Sequence, residues 1–282
     1  MGVLCDVLPR EAMPPLYRAT RSLRFEEGKF LRLAQSDGSV EVFTHDRPEF
    51  LIHADIRVYG RGKLLEATEA YVDTMIQGDA DGGGIRIQTE TGDRPEPVDI
   101  RTDYRLTVPR GANVSVEGAN GNVLIHEGCG ALFIQGNNTD IKIVSPGAAV
   151  RAESNNGRIK VENAPGETVL KTVNGNIYAS MAGGYLTAET TNGTVAVALK
   201  SENVTSCNLT SLNGGITLSV VDTGNMAVEA GTDSGTIRCD LALSYEAGYP
   251  KRRKIVGMAG TGHNKVSLYS RNGDISIVRN PL

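Results

Sequence analysis

The sequence has no tryptophan, few other aromatic residues and no long hydrophobic run, and each of these absences narrows the range of functions to consider. Aromatic residues make up 5% of the chain, so large aromatic pockets are not expected. No apolar run approaches the roughly 18 residues of a membrane-spanning helix. The formal net charge is −4, which provides no general field to attract nucleic acid or an anionic membrane. No nucleic-acid partner and no transmembrane segment are therefore predicted.

Cysteine and histidine are also scarce, at four residues each, and they lack the spacings of a catalytic or metal site. Cys5, Cys129, Cys207 and Cys239 include no C-x-x-C pair. No histidine lies at metal-ligand spacing from another histidine or cysteine. We find no phosphate loop, dinucleotide fingerprint or nucleophile elbow. The sequence therefore predicts no catalytic residue, no metal and no cofactor.

The first residues lack a basic segment followed by an apolar one, so no secretory signal is predicted. As the sequence stands, we expect a cytoplasmic protein. A chain trimmed of its signal would look the same, and the alternative is an extracytoplasmic or cell-surface location.

The pattern divides the chain into three parts. Residues 1–29 contain several prolines and are predicted to be irregular. Residues 30–110 alternate apolar and polar positions and predict a β-rich part, with one helix at 64–76. Within it, the acidic segment Asp79–Gly84 shares its composition with calcium loops but not their ligand spacing, and a turn is the preferred interpretation. Residues 111–282 form a repeat region with an insertion near 242–262.

The repeat is a short phrase: Asn-Gly, one spacer residue, and then alternating apolar residues, as in Asn156–Val161. Taking the asparagine as the anchor, the first four intervals are 18 residues, the next two are 21 and the last is 38. Such internal periodicity is typical of stacked or solenoid folds. The eight anchors predict about eight coils: Asn120, Asn138, Asn156, Asn174, Asn192, Asn213, Ser234 and Asn272.

Aligned on the anchors, the repeats show fixed apolar columns. Positions three and five after the anchor, and four and six before it, are mostly aliphatic. Each repeat is therefore predicted to contain two short strands that share one interior. The position two before the anchor is small and mostly hydroxyl-bearing, which allows hydrogen bonds to the corner backbone. We expect the anchor asparagines to form an amide ladder with a structural role, and the following glycine to supply left-handed backbone.

Asn-Gly is also a strong signal for a two-residue hairpin. Residue parity alone does not separate an antiparallel meander from a parallel stack. Identical columns at a fixed interval favour the parallel stack, because like residues then lie on like.

The segments Asp103–Pro109, Gly260–Gly262 and Val266–Ile275, together with the Asn-Gly repeats, resemble the bacterial putative-adhesin β-solenoid domain family. The resemblance extends over about residues 30 to 280. It implies a right-handed parallel β-solenoid and a non-enzymatic binding or structural scaffold. No catalytic residues carry over from it.

The break in the period before Asn272 is the best candidate binding site, because insertions in repeat arrays emerge as loops on one face. Its tyrosines and consecutive basic residues would suit an anionic partner, and a protein or polysaccharide ligand is expected. A long hairpin with solvated charges is the alternative, since Lys254–Gly257 has the pattern of a strand. The candidate residues are Tyr245, Tyr249, Lys251, Arg252, Arg253 and Lys254.

Two other functions remain open. Glu153, Lys171 and Glu189 would be neighbours on an outward column, which suggests either a charge ladder or a polysaccharide-active enzyme. The last strand ends near Leu282 and would leave an open sheet edge, so self-association through the solenoid ends into bactofilin-like filaments is the other alternative.

Overall fold

The computed structural model describes residues 15, 17–25, 30–59, 76–81, 84–89, 99–221 and 225–279, and their regular elements are all β-strands. No helix occurs among these residues. The helix predicted at 64–76 falls outside them except for its last residue, Ile76, which begins a strand. Within the same ranges, no helix has the length and apolar character needed to span a membrane.

Nine strands precede and begin the repeat region: β1 (Tyr17–Phe25), β2 (Phe30–Asp37), β3 (Val40–His45), β4 (Phe50–Tyr59), β5 (Ile76–Asp81), β6 (Gly84–Thr89), β7 (Asp99–Pro109), β8 (Asn113–Ile125) and β9 (Leu132–Val144). The remaining strands are β10 (Val150–Asn156), β11 (Ile159–Ala164), β12 (Thr168–Asn174), β13 (Ile177–Met181), β14 (Gly184–Asn192), β15 (Val195–Leu199), β16 (Val204–Asn213), β17 (Ile216–Val220), β18 (Met226–Thr232), β19 (Ile237–Cys239), β20 (Ser244–Tyr245), β21 (Lys254–Ala259), β22 (Asn264–Ser270) and β23 (Ile275–Arg279).

Successive repeats stack in parallel and in register, which makes the fold solenoid-like. Asn156 lies opposite Asn174, and Ile159 opposite Ile177. The antiparallel meander that Asn-Gly also allowed is therefore wrong for these repeats. The strands before and after each anchor form two walls of the stack, and β8 and β9 run through both.

The first wall has the strand order β5, β6, β2, β8, β9, β10, β12, β14, β16, β22, β18, β21, β20. The second wall has the order β1, β4, β7, β3, β8, β9, β11, β13, β15, β17, β23, β19. Within these orders, antiparallel pairs occur only where β5, β21, β20, β4 and β1 join near the ends.

The core lies between the walls and consists of the aliphatic columns read from the sequence. Leu170, Leu186 and Leu209 are fully buried in the first wall, as are Ile159 and Ile177 in the second. Burying an aliphatic side chain of this size stabilises the fold by about 1.5–3 kcal/mol. The columns therefore supply a continuous stabilising interior, while the alternate residues face solvent.

The coils do not stack in chain order at the C-terminal end. β22 lies between β16 and β18, and β23 lies between β17 and β19. The last strand is thus internal, and the expectation that it leaves an open sheet edge is wrong. The edge positions belong instead to β19 and to the two-residue strand β20.

A similar inversion occurs at the N-terminal end. β2 and β3 lie between β8 on one side and β6 and β7 on the other. Tyr17–Phe25 was assigned to an irregular segment, but it forms β1, which pairs with β4 along its whole length. Ala19 is buried while Arg18 is exposed, so the strand alternates between core and solvent despite its basic residues. Asp79–Asp81 lies in β5, paired with β6 as a hairpin.

Candidate functional site

The anchor asparagines form one continuous amide ladder along the corner between the walls. In each step, an Nδ2 atom donates to the Oδ1 atom of the neighbouring anchor, at 2.6–2.9 Å. Along the stack axis, each side-chain amide therefore uses most of its hydrogen-bonding capacity on the neighbouring anchors. The members are Asn120, Asn138, Asn156, Asn174, Asn192, Asn213 and Asn272.

A second row of hydrogen bonds lies behind the amide ladder. From the third anchor onwards, the hydroxyl two residues before the anchor donates to the backbone carbonyl that follows the neighbouring anchor. Thr172 donates to Gly157 O at 3.1 Å, and Thr190 donates to Gly175 O at 2.9 Å. These bonds satisfy buried carbonyls at the corner, where a lost partner would leave an unpaired polar group.

The glycines after the anchors are required mainly by space. Left-handed backbone was expected there and occurs at Gly121, with a φ of 132°, but Gly157, Gly175 and Gly193 have no positive φ. A Cβ at Gly175 would collide with Gly157 O, and a Cβ at Gly193 would collide with Gly175 O. The corner backbones stack too closely for a side chain, which explains the repeated glycine.

One coil reverses this arrangement and supports the same explanation. Its anchor, Asn138, is followed by Thr139 rather than glycine, and preceded by Gly136 rather than a hydroxyl residue. The Thr139 side chain is buried and fills the space that a Cβ at Gly136 would need. The corner therefore accepts one side chain per coil, from either position.

The outward column of the first wall carries the charged residues considered above. Glu153, Lys171 and Glu189 lie opposite one another on successive coils. Lys171 Nζ is 2.9 Å from a Glu189 carboxylate oxygen, and a guanidinium nitrogen of Arg151 is 2.6 Å from Glu153. Lys171 occupies the position between the two carboxylates where a substrate would have to lie. The arrangement suits a charge ladder better than a pair of catalytic acids.

Beside this column is a groove of about 450 Å³, here named the central groove. It runs between the outward column of Glu153, Lys171, Glu189 and Thr210 and the neighbouring outward column that contains Val173 and Leu212. Val173 is 42% exposed and Leu212 is 37% exposed. The groove thus combines charged groups, hydroxyls and uncovered apolar side chains along the stack axis.

The insertion forms an antiparallel hairpin, here named the end hairpin, from β20 and β21. Its strand β21 pairs with β18 and extends the first wall. All six predicted binding residues lie on it. Tyr245, Lys251, Arg252, Arg253 and Lys254 are exposed, and Tyr249 is half-buried.

Two of the hairpin cations already have partners. Lys254 Nζ lies 2.9 Å from a Glu229 carboxylate oxygen, and Lys251 Nζ lies 5.2 Å from the centre of the Tyr249 ring. Arg252 and Arg253 have no ion pair within the described part of the chain. The hairpin alternative correctly describes the backbone, and the two arginines remain available to an anionic partner.

Tyr269 connects the central groove to the end hairpin. It lies opposite Thr210 on one side and Gly231 on the other, and Gly231 lies opposite Lys254. Its hydroxyl donates to Asp233 at 2.8 Å, which raises the pKa of Tyr269. The inverted coil order places Tyr269 between the groove and the hairpin.

The three cysteines that the structure describes offer no nucleophile on this face. Cys129 and Cys207 are buried, and burial raises their pKa values to about 11 and about 12. Burial also raises the pKa of Cys239. Cys5 lies outside the described residues. A group of three side chains suited to a metal ion is also absent from the described ranges.

Comparison with known proteins gives a family match and distant structural similarities. The family described as Toastrack DUF4097 matches residues 74–278. A putative adhesin from Bacteroides fragilis is 14% identical, with a TM-score of 0.49, over 94% of this chain and 99% of that one. A putative adhesin from Parabacteroides distasonis is 11% identical, with a TM-score of 0.49, over 93% and 97%. The term putative adhesin is the name of those two proteins. The curated proteins gave no match.

Proposed function

The chain belongs to the Toastrack DUF4097 family, and we propose that it is a non-enzymatic, adhesin-like scaffold that binds an extended ligand on the outer side of its first wall. The proposal includes a more detailed description of the fold, as a right-handed solenoid of about eight coils. The single observation that carries the function is the central groove, with its exposed Val173 and Leu212 beside a row of polar groups.

The chemistry of the groove favours a polymer of hydroxyl-bearing units. Thr191 and Thr210 offer hydroxyls, and the Lys171–Glu189 pair offers a donor and acceptors at an exposed position. Val173 and Leu212 offer apolar contacts for the non-polar side of a sugar ring. Because strands are spaced by about 4.8 Å, similar groups recur along the axis. A polysaccharide is therefore the proposed ligand, and a protein strand is the alternative occupant.

A binding screen of the full chain against neutral and charged glycans and against proteins tests this function. The double variant Val173→Ser, Leu212→Ser removes the exposed apolar contacts without disturbing the core. Its matched control is Tyr178→Ser on the second wall, where the side chain is 37% exposed. We expect the double variant to weaken binding at least several-fold and the control to leave it unchanged. Equal binding by both would contradict the proposal.

Turnover separates the scaffold from the enzyme alternative. Glu153→Gln and Glu189→Gln would abolish hydrolysis or elimination by a polysaccharide-active enzyme. We expect no glycan to be cleaved by the unchanged protein, so both variants should match it. Cleavage that either variant abolishes would establish the enzyme instead.

A further inference from the structure

A second groove lies nearer the N-terminal end of the first wall, at a distance of several strands from the end hairpin. It has a volume of about 410 Å³ and is here named the Arg32 groove. Ser115, Ala131 and Ala149 form a floor of small side chains. Larger side chains surround this floor: Phe30, Arg32, Phe133, Arg151, Glu167 and Val169. None of these residues was a candidate from the sequence.

The floor and walls result from the stacking order. Phe30 and Arg32 belong to β2, which lies against β8, while Phe133 belongs to β9 on the other side of β8. Ser115 on β8, Ala131 just before β9 and Ala149 just before β10 leave a depression between larger neighbours. Phe30 is 41% exposed, and its ring lies over Gly84, where any Cβ would collide with it. The groove is thus a shaped surface with aromatic side chains at two sides.

Arg32 contributes a positive charge to this groove. Arg32 lies directly opposite Arg86 in the parallel pair of β2 and β6, and both side chains are exposed. Like charges directly opposite one another in a sheet are unfavourable. Over the residues that the structure describes, Arg32 has no ion pair, whereas Arg86 has Asp79 opposite it on its other side, in β5. Arg151, by contrast, is held by Glu153 at 2.6 Å.

We propose that the Arg32 groove binds the acidic group of an anionic sugar unit, with Arg32 contacting the carboxylate or sulfate and Phe133 contacting the sugar ring. A guanidinium matches the geometry of these anions because it donates two parallel hydrogen bonds. Glu167, hydrogen-bonded to Tyr185 at the far end of the groove, offers an acceptor for sugar hydroxyls. The site does not depend on the central groove.

Calorimetry on the full chain tests this site with three probes of equal length: a uronate oligosaccharide, a sulfated one and a neutral one. We expect at least one acidic probe to bind tenfold or more tightly than the neutral probe. Arg32→Gln should lower that affinity about tenfold or more, as expected for a lost hydrogen bond between charged groups. The uronate and sulfate results identify which anion the groove takes.

Arg158→Gln is the matched control, since it removes one exposed arginine from the corner before β11. It should leave the affinity unchanged. Equal losses in both variants would indicate non-specific attraction and overturn the site, as would an unchanged Arg32→Gln or no binding of either acidic probe. Loss in Arg32→Gln alone, with Val173→Ser, Leu212→Ser unaffected, would support this site even if the proposed function of the central groove fails.

Phe133→Leu separates ring contact from charge. The variant keeps an apolar side chain of similar bulk at a half-buried position. We expect it to weaken binding several-fold while the salt dependence remains that of the unchanged protein. An unaltered affinity would overturn the role given to Phe133.

Discussion

Asn272 donates a hydrogen bond from its Nδ2 atom to Oδ1 of Asn213 at 2.9 Å, although Ser234 is the nearer anchor in the chain. The coil of β22 and β23 therefore continues the amide ladder directly from the coil of β16 and β17. The coil that carries Ser234 lies beyond it. This inversion places Tyr269 between the central groove and the end hairpin.

Cross-linking tests the inverted order. Thr210 and Tyr269 are outward neighbours on adjacent parallel strands, so a double cysteine variant at these positions should form a disulfide on mild oxidation. In a chain stacked in sequence order, Thr210 would instead lie beside Gly231. We expect Thr210→Cys with Gly231→Cys not to cross-link within the molecule, because two strand spacings, about 9.6 Å, exceed the reach of a disulfide.

Both pairs are made in a background with Cys5 and Cys239 replaced by serine, and the bond is read by mass spectrometry of peptides. Cross-linking of the second pair but not the first would show that the coils stack in chain order.

Asn174→Ala tests the amide ladder. The variant removes one bond to Asn156 and one from Asn192. We expect it to lower the free energy of unfolding by about 1–3 kcal/mol, from two hydrogen bonds of about 0.5–1.5 kcal/mol each. Urea titration measures the change. Asn208→Ala, an exposed asparagine of the first wall, is the control and should remain near the stability of the unchanged protein. Equal effects would argue against a structural role for the ladder.

Gly193→Ala tests whether space or backbone conformation selects the corner glycines. The new methyl group would collide with Gly175 O, so we expect a loss of about 1–3 kcal/mol in unfolding free energy. Gly111→Ala is the comparison, because Gly111 has a φ of 79° and no atom within 4 Å of the added Cβ. It should be destabilised less, by about 1 kcal/mol. A larger loss at Gly111, measured by the same urea titration, would favour backbone conformation as the cause.

The lowered pKa of Asp103 predicts that the fold loses stability in acid. Burial raises the pKa of Asp103, but hydrogen bonds from the Ser39 hydroxyl and amide, and the charges of Arg101 and Arg57, outweigh burial and place it below its ordinary value. A carboxyl with a lowered pKa stabilises the fold above its unfolded pKa of about 3.9. That stability is lost as the pH falls through the lower, folded pKa.

The urea midpoint should therefore fall between about pH 5 and pH 2 more steeply for the unchanged protein than for Asp103→Asn. At neutral pH the variant should be the less stable of the two. Asp46→Asn, the same change at a carboxylate whose side chain is 86% exposed, provides the control for the altered net charge. Identical pH profiles for the unchanged protein and Asp103→Asn would show that Asp103 does not cause the loss of stability in acid.

The sequence by itself determined the repeating unit. Ile159, Ile177 and Val195 recur at a fixed interval, and hydrophobic burial requires such like residues to share one interior. The same reasoning located the corners, the amide ladder and the outward row of Glu153 and Lys171. These features are local or repeat exactly along the chain, so they can be read before the fold is known.

Only the tertiary structure decided which coil lies against which. Every coil presents the same columns, so Val266 could pack equally well on several neighbours. The long interval before Asn272 lets the chain form the coil of β18 one position further along the stack and then return to fill the position between β16 and β18. For the same reason, the sequence could not bring Arg32 beside Arg86 or place Arg32 and Phe133 around one groove. These contacts depend on stacking order, which identical columns do not encode.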